Sequence, residues 1–148
     1  MYNFEVTISD ATTAQFETLR MLENIIEEFQ LQDHFGTISM ALHNILENII
    51  NSSPDDFGIT INFLIEPEKI TVVIGGNKSL IKLKQDIQLS KENNLQETFF
   101  SMLLVDALEF KEDDTELYIE FHVKPYIKSL RTITKEKQFE KTNSIKKN

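Results

Sequence analysis

The chain has 148 residues, of which 41% are hydrophobic, and its formal net charge is −9. This length and apolar content fit one domain that can bury a core of its own. Because the chain contains no cysteine, disulfides, thiolate catalysis and cysteine-bound zinc are excluded. It shows no signal-like N-terminus and no apolar run of membrane-spanning length, so we expect a soluble, cytoplasmic protein without membrane contact.

The charge is unevenly distributed along the chain. Residues 124–148 contain eight Lys or Arg and two Glu, whereas the first 123 residues contain seven Lys or Arg and 22 Asp or Glu. We therefore divide the chain into a domain, 1–123, and a basic C-terminal tail, 124–148. An acidic domain repels phosphates, which argues against nucleic acid as its partner. The tail can contact an acidic partner, fold back on the acidic domain or stay solvated, which is the commonest outcome.

The first residues predict a strand followed by a helix. Apolar and polar side chains alternate over Tyr2–Ile8, which is typical of a half-buried strand. Ser9 or Asp10 can then cap a helix that runs to about Gln30. We expect the core-facing side of this helix to consist of the apolar residues at helical spacing, which are Phe16, Leu19, Leu22, Ile25, Ile26 and Phe29.

A second helix carries two asparagines beside its apolar stripe. It follows a predicted break at Asp33–Gly36 and ends at Asn51–Pro54, where a proline stops it. The stripe consists of Leu42, Ile45, Leu46, Ile49 and Ile50. Asn44 and Asn48 lie one turn apart, so both amides leave the helix on one side. Since asparagine is a poor helix former, the pair either hydrogen-bonds a neighbouring loop or faces a metal–phosphate ligand.

The middle of the chain predicts an antiparallel hairpin. Ile59–Ile65 and Ile70–Ile74 are rich in β-branched residues and are separated by the short polar turn Glu66–Lys69. Gly75, Gly76 and Asn77 follow directly and end the second strand. A glycine-containing loop therefore lies between the hairpin and Lys78.

The last part of the domain predicts one more helix and one more strand. Lys78–Asn94 is polar and shows no clear preference. Leu95–Leu108 predicts a helix, Glu109–Thr115 a turn, and the alternating Glu116–Val123 a strand. The core-facing residues expected in that helix are Phe99, Phe100, Leu103, Leu104 and Ala107. In the tail, a short docked helix can form around Ile127, Leu130 and Ile133.

The predicted order of elements is β-α-α-β-β-α-β. Such an order favours an α+β fold, a two-layer α/β sandwich in which helices cover one face of a mixed, mostly antiparallel sheet. No internal repeat or second domain is indicated.

This order, together with the asparagine-bearing helix, resembles the histidine-kinase-like ATPase superfamily, also called the GHKL or Bergerat fold. The resemblance spans roughly Phe4 to Val123 and is strongest to its small stand-alone members, the anti-sigma-factor serine kinases and switch proteins. The family's N-box is an Asn, three residues and a second Asn on a Leu- and Ile-rich helix, which Asn44 and Asn48 match. The resemblance implies that Asn48 is a Mg²⁺ ligand and that Asn44 stands where relatives place a water-polarising Glu.

The other two nucleotide motifs of that family are altered. An Asp-x-Gly-x-Gly box should follow the hairpin, but Gly75, Gly76 and Asn77 stand there without the adenine-reading carboxylate. The Asn77 amide oxygen can replace it only as a weaker acceptor. A second glycine box should open the third helix, where the chain has Thr98-Phe99-Phe100 after an acidic Glu97, which is unfavourable for phosphates. The candidate pocket therefore consists of the asparagine pair and the Gly75–Asn77 loop.

Other chemistry-bearing residues form no recognisable site in the sequence. His34, His43 and His122 are scattered and lack the carboxylate frame of a metal site. The pair His43 and Glu47, one turn apart, is more often a surface pair than a phosphorylation site. No nucleophile and base occur together at a spacing that suggests covalent catalysis.

We therefore expect a bacterial signalling protein that acts by protein–protein interaction and is more plausibly a binding module than an enzyme. Its partner would be a sigma factor, an antagonist domain or a response-regulator-like protein. The alternative is an ATP- and Mg²⁺-dependent anti-sigma-type serine kinase with a divergent pocket, and a third reading is a structural homodimer.

Overall fold

Five strands and three helices make up the computed structural model, which describes residues 1–52, 57–76, 79–93, 104–111, 113 and 115–124. The elements are β1 (Tyr2–Ile8), α1 (Ala14–Phe29), α2 (Gln32–Asn51), β2 (Ile59–Glu66), β3 (Lys69–Gly75), α3 (Ser79–Asn93), β4 (Ala107–Lys111) and β5 (Glu116–His122). The strands form one sheet in the order β1-β2-β3-β5-β4. The expected α+β two-layer sandwich is confirmed, although every strand pair in the described sheet is antiparallel where a mixed sheet was expected.

One core lies between the sheet and the helices. Alternate residues of β2, from Ile59 to Ile65, are buried, and each faces a buried residue of β3 or β1 across the register. Phe63, for example, pairs with Phe4 on one side and Val72 on the other. The same cluster includes the buried residues of all three helices. Because only one face of the central strands joins this cluster, the helices cover one face of the sheet, as expected.

The turn between α1 and α2 lies earlier than predicted. Gln30 adopts a left-handed conformation (φ 54°, ψ 50°), and its N–H and that of Leu31 donate to carbonyls of the last turn of α1. This is the usual hydrogen-bonded stop of a helix, although glycine more often occupies the left-handed position. The predicted break at Asp33–Gly36 is therefore wrong, and those residues form the first turns of α2.

The start of α1 also differs from the prediction. The Asp10 carboxylate accepts hydrogen bonds from the backbone N–H and the hydroxyl of Thr12, at 2.9 and 2.8 Å. Both bonds favour the charged form and so lower the pKa of Asp10 below its ordinary value. The bond from the Thr12 backbone N–H has the larger effect. Asp10 thus orders a turn that precedes the helix, which begins at Ala14.

The strand β4 was not predicted, because its residues were assigned to the end of a helix and the start of a turn. Ala107 and Leu108 were assigned to the helix and Glu109 to the turn, but all three pair with β5. Two hydrogen bonds hold this end of the pairing: Asp106 N–H donates to the Glu120 carbonyl at 2.9 Å, and His122 N–H donates to Asp106 Oδ2 at 2.6 Å. The partner strand thus overrides the helical preference of Ala-Leu-Glu. Residues 95–103 of the predicted helix, with Phe99 and Phe100, lie outside the described residues.

The segment that the sequence left undecided forms α3. Its buried residues Leu80, Leu83 and Ile87 occur at i, i+3 and i+7, which is the spacing of one helical face. This short apolar stripe is enough to attach α3 to the same core as α1 and α2.

A stability prediction follows from the loop after β3, where Gly76 has a φ of +83°. An added Cβ would meet its nearest neighbour, the backbone N of Thr60, at 3.8 Å, so there is room for alanine. The left-handed backbone alone should therefore cost about 1–2 kcal/mol of unfolding free energy in Gly76→Ala. The matched control is Gly36→Ala in α2, which should gain about 0.5–1 kcal/mol because alanine is the better helix former. Urea denaturation measures both, and equal stability of the two variants would contradict the argument.

Candidate functional site

The asparagine pair lies on α2, at the edge of its buried stripe. The Asn48 side-chain N–H donates to the backbone carbonyl of Asn44 at 2.9 Å, so this amide is bonded to its own helix. Asn44 Oδ1 is buried and has no hydrogen-bond partner among the described residues. A buried acceptor without a donor is costly, and Asn44 Oδ1 is the one buried side-chain N or O atom among the described residues that lacks a partner.

The burial of Asn44 bears on one of the two roles that the resemblance implies. Asn44 Oδ1 is shielded from solvent, so it does not contact a water that enters from solvent. The hydrogen bond of Asn48 uses its amide N–H and not the oxygen that would meet Mg²⁺. Within the described ranges, no group of three or more His, Cys, Asp or Glu residues is arranged to hold a metal ion. The roles that the resemblance implies for Asn44 and Asn48 stay predictions, and the hydrogen bond that joins the two residues is a structural contact within α2.

An acidic residue lies beside the glycine loop. Gly75 pairs with Glu116 across β3 and β5, and the Glu116 Cγ lies 3.4 Å from where a Cβ on Gly75 would be. A carboxylate beside this loop repels phosphate groups. Sequence reasoning missed Glu116 because the two residues become neighbours only through the strand register. Asn77, the third predicted residue of the loop, lies outside the described residues.

A second candidate site lies between the outer sides of α1 and α2. It is an open cavity of about 260 Å³, which we call the α1–α2 groove. The residues that line it are Gln15, Phe16, Thr18, Leu19, Leu22, Ser39, Leu42 and His43. The Gln15 side chain donates to the His43 carbonyl at 2.8 Å and bridges the two helices at this groove. Phe16 is 66% exposed and Leu19 is 39% exposed, so the groove presents apolar side chains to solvent.

The exposure of Phe16 and Leu19 corrects the predicted core face of α1. Both were expected to face inward, whereas the buried stripe runs through Ala14, Thr18 and Leu22. Ala14 and Thr18 are small, and the Thr18 hydroxyl is satisfied by the Ala14 carbonyl at 2.8 Å. The stripe is therefore rotated toward the small residues. The overlooked signal was the i, i+4, i+8 spacing of Ala14, Thr18 and Leu22, which places all three on one face.

The surface around the groove is apolar and acidic. Met40, which follows the groove residue Ser39 on α2, is 50% exposed. His43 and Glu47 form an exposed pair at 3.8 Å, consistent with the surface role expected for them. Arg20 is the only Lys or Arg in either helix, whereas α1 alone contains four glutamates. An exposed apolar patch rimmed by polar residues is typical of an interaction site.

The remaining histidines, His34 and His122, are not among the residues that line the α1–α2 groove. The His34 ring lies 3.3 Å from the carbonyl oxygen of Lys124, and the His122 ring lies 3.9 Å from the Asp106 carboxylate at the β4–β5 end. Each therefore has a local structural neighbour. The geometry assigns no shared chemistry to His34, His43 and His122.

Among the described helices, none is long and apolar enough to cross a membrane. No protein-family model matches the chain, and comparison with curated proteins gives no significant match.

Proposed function

We propose that this protein is a regulatory binding module that acts by holding a helix of a partner protein in the α1–α2 groove. The observation that carries the proposal is the exposure of Phe16 and Leu19 on the walls of an open apolar cavity. Exposing such side chains costs solvation free energy, which docking of an apolar partner surface recovers.

The shape of the groove suits a protein segment better than a small ligand. Its volume of about 260 Å³ lies below the roughly 300–1,000 Å³ of typical small-ligand pockets. Apolar side chains of two helices line it, which is the arrangement that receives the apolar face of a third helix. A partner helix would insert one or two side chains between Phe16 and Leu42.

Two features support a role in bacterial signalling. The order of the elements, two helices between β1 and a β2–β3 hairpin, agrees with the frame on which the resemblance to anti-sigma and switch proteins rests. The helix pair that carries the groove belongs to that frame. We therefore propose a sigma factor, an antagonist domain or a response-regulator-like protein as the partner class, with the cytoplasm as the place of action.

The alternative is an ATP-binding serine kinase of the anti-sigma type. It needs the asparagine pair to meet Mg²⁺ and the loop after β3 to accept a nucleotide. The Glu116 side chain beside Gly75 argues against a nucleotide at this loop, and the burial of the Asn44 oxygen argues against the water-polarising role of that residue. We therefore rank the binding module above the kinase.

Site-specific photocrosslinking in the cell tests the proposal. A photoreactive phenylalanine analogue at position 16 should give an adduct with a discrete partner protein, because Phe16 lies on the groove wall. The matched control is the same analogue in place of Tyr2, which is 60% exposed but lies on β1. The substitution Leu19→Gln should then reduce the yield at position 16 about tenfold, the effect of losing one well-packed contact.

Equal adduct yields from positions 16 and 2, or an adduct at position 16 that survives Leu19→Gln, would contradict the proposed function. Circular dichroism of the Leu19→Gln variant serves as the folding control. Since Leu19 is 39% exposed, we expect its replacement to leave the fold intact.

A further inference from the structure

The charges beside the α1–α2 groove are arranged on one side of the helix pair. Glu23 follows Phe16 by seven residues and Leu19 by four, and Glu27 is one further turn along the same side of α1. On α2, Glu47 lies one turn beyond His43. All three glutamates are exposed. We call Glu23, Glu27 and Glu47 the groove-side carboxylates.

Among the described residues of the two helices, one basic side chain stands against these three carboxylates. Arg20 is the only Lys or Arg in α1 and lies on the same side, three residues before Glu23, and α2 contains none. Of the three, Glu47 has a close neighbour in His43, at 3.8 Å. A segment that docks in the groove therefore brings its flanking residues into a negative field, and basic flanks are attracted while acidic flanks are repelled.

We propose that the occupant of the groove is a basic amphipathic helix, with apolar residues at i, i+3 and i+4 that enter the groove and Lys or Arg residues on both flanks. This inference rests on the proposed function and names the chemistry of the partner. The apolar stripe contacts Phe16 and Leu19, and the basic flanks contact the groove-side carboxylates. The apolar contacts set most of the affinity, and the charges set which helix is accepted.

Two labelled peptides test the charge preference directly. Both have about 16 residues, long enough to form a helix, and share one leucine stripe, but their flanking positions are all Lys in one and all Glu in the other. Fluorescence anisotropy with the full chain should show the Lys peptide binding about tenfold tighter or more at low salt. The preference should shrink at about 0.5 M NaCl because the charges are exposed and screened.

Two triple variants separate the groove from the net charge. In the first, Glu23→Gln, Glu27→Gln and Glu47→Gln remove the groove-side carboxylates. In the second, Glu5→Gln, Glu66→Gln and Glu109→Gln remove three carboxylates from strands β1, β2 and β4. Both raise the net charge equally. The first should reduce the preference to about threefold or less, and the second should leave it near tenfold.

A further pair of variants locates the apolar contact. Leu19→Gln should weaken binding of the Lys peptide about tenfold, whereas Ile81→Gln, at a similarly exposed apolar position on α3, should not. If both peptides bind equally and Leu19→Gln weakens both, the charge inference fails and the proposed function stands.

Three other outcomes overturn the inference. If both triple variants lose the preference for the Lys peptide equally, the preference depends on net charge and not on the groove. Binding of neither peptide removes the proposed function as well. Self-association that Leu19→Gln abolishes, seen by sedimentation, makes a second copy of this chain the occupant.

Discussion

Replacing Phe63 with alanine is expected to lower the free energy of unfolding by about 3–5 kcal/mol, the largest effect of any single substitution considered for this protein. Phe63 is fully buried at the centre of β2 and pairs with Phe4 and Val72 in the register. Removing its ring leaves a cavity between the sheet and the helices that the neighbours fill only in part. Urea denaturation should show the loss as a lower midpoint with an unchanged slope.

The neighbouring residue of the same strand is the control. Leu64 points to the opposite face and is only half-buried, so Leu64→Ala should cost about 1 kcal/mol or less. If the two alanine variants lose similar stability, the face of the sheet that the helices cover has been assigned incorrectly.

Replacing Asn44 with leucine is expected to raise the free energy of unfolding by about 1–2 kcal/mol. Leucine has nearly the shape of asparagine, and the substitution removes the buried Oδ1 that lacks a hydrogen-bond donor. Stabilisation by mutation is unusual at a half-buried position, which makes the result informative. The control is Asn48→Leu, which removes the 2.9 Å bond to the Asn44 carbonyl and should not stabilise the protein.

The Asn48→Leu variant decides the question of nucleotide binding. A ligand at 100 times its Kd stabilises a protein by about 2.7 kcal/mol, which raises the melting temperature by several degrees at this size. We expect millimolar Mg·ATP to shift the melting temperature of neither the wild-type protein nor Asn48→Leu, which removes the oxygen that the resemblance implies for Mg²⁺. An upward shift in the wild type that Asn48→Leu removes would restore the kinase as the better proposal.

Local patterns predicted much of the fold. The alternation over Tyr2–Ile8 and the Ile59–Ile74 hairpin depend on neighbouring residues and on burial of one face, and both appear in the structure. The start of α2 and the strand β4 were missed for a physical reason. Gln30 takes the left-handed position that glycine usually takes, and Ala107–Lys111 adopts a strand because β5 lies beside it.

The candidate sites were harder to predict than the elements that carry them. Asn44 and Asn48 are visible in sequence because both lie on one helix, but the lack of a donor for Asn44 Oδ1 depends on packing. Phe16 and Leu19 were assigned to the core because they lie at helical spacing from the apolar residues that follow them in α1, yet both are exposed. Which face of α1 is buried depends on how closely the helix can approach the rest of the core, and the small residues Ala14 and Thr18 permit a close approach. Hydropathy alone does not reveal this effect of side-chain size.

The sheet order also bears on how the protein is made. The strand β3 lies between β2 and β5, yet the paired residues Gly75 of β3 and Glu116 of β5 are separated in the chain by α3 and β4. During synthesis, the hairpin of β2 and β3 therefore leaves the ribosome with one hydrogen-bonding edge open. It stays open until β5 emerges with Leu117, Ile119 and Phe121. An apolar strand with an unpaired edge associates readily with other chains, so the nascent protein is most prone to aggregate between the emergence of β3 and that of β5.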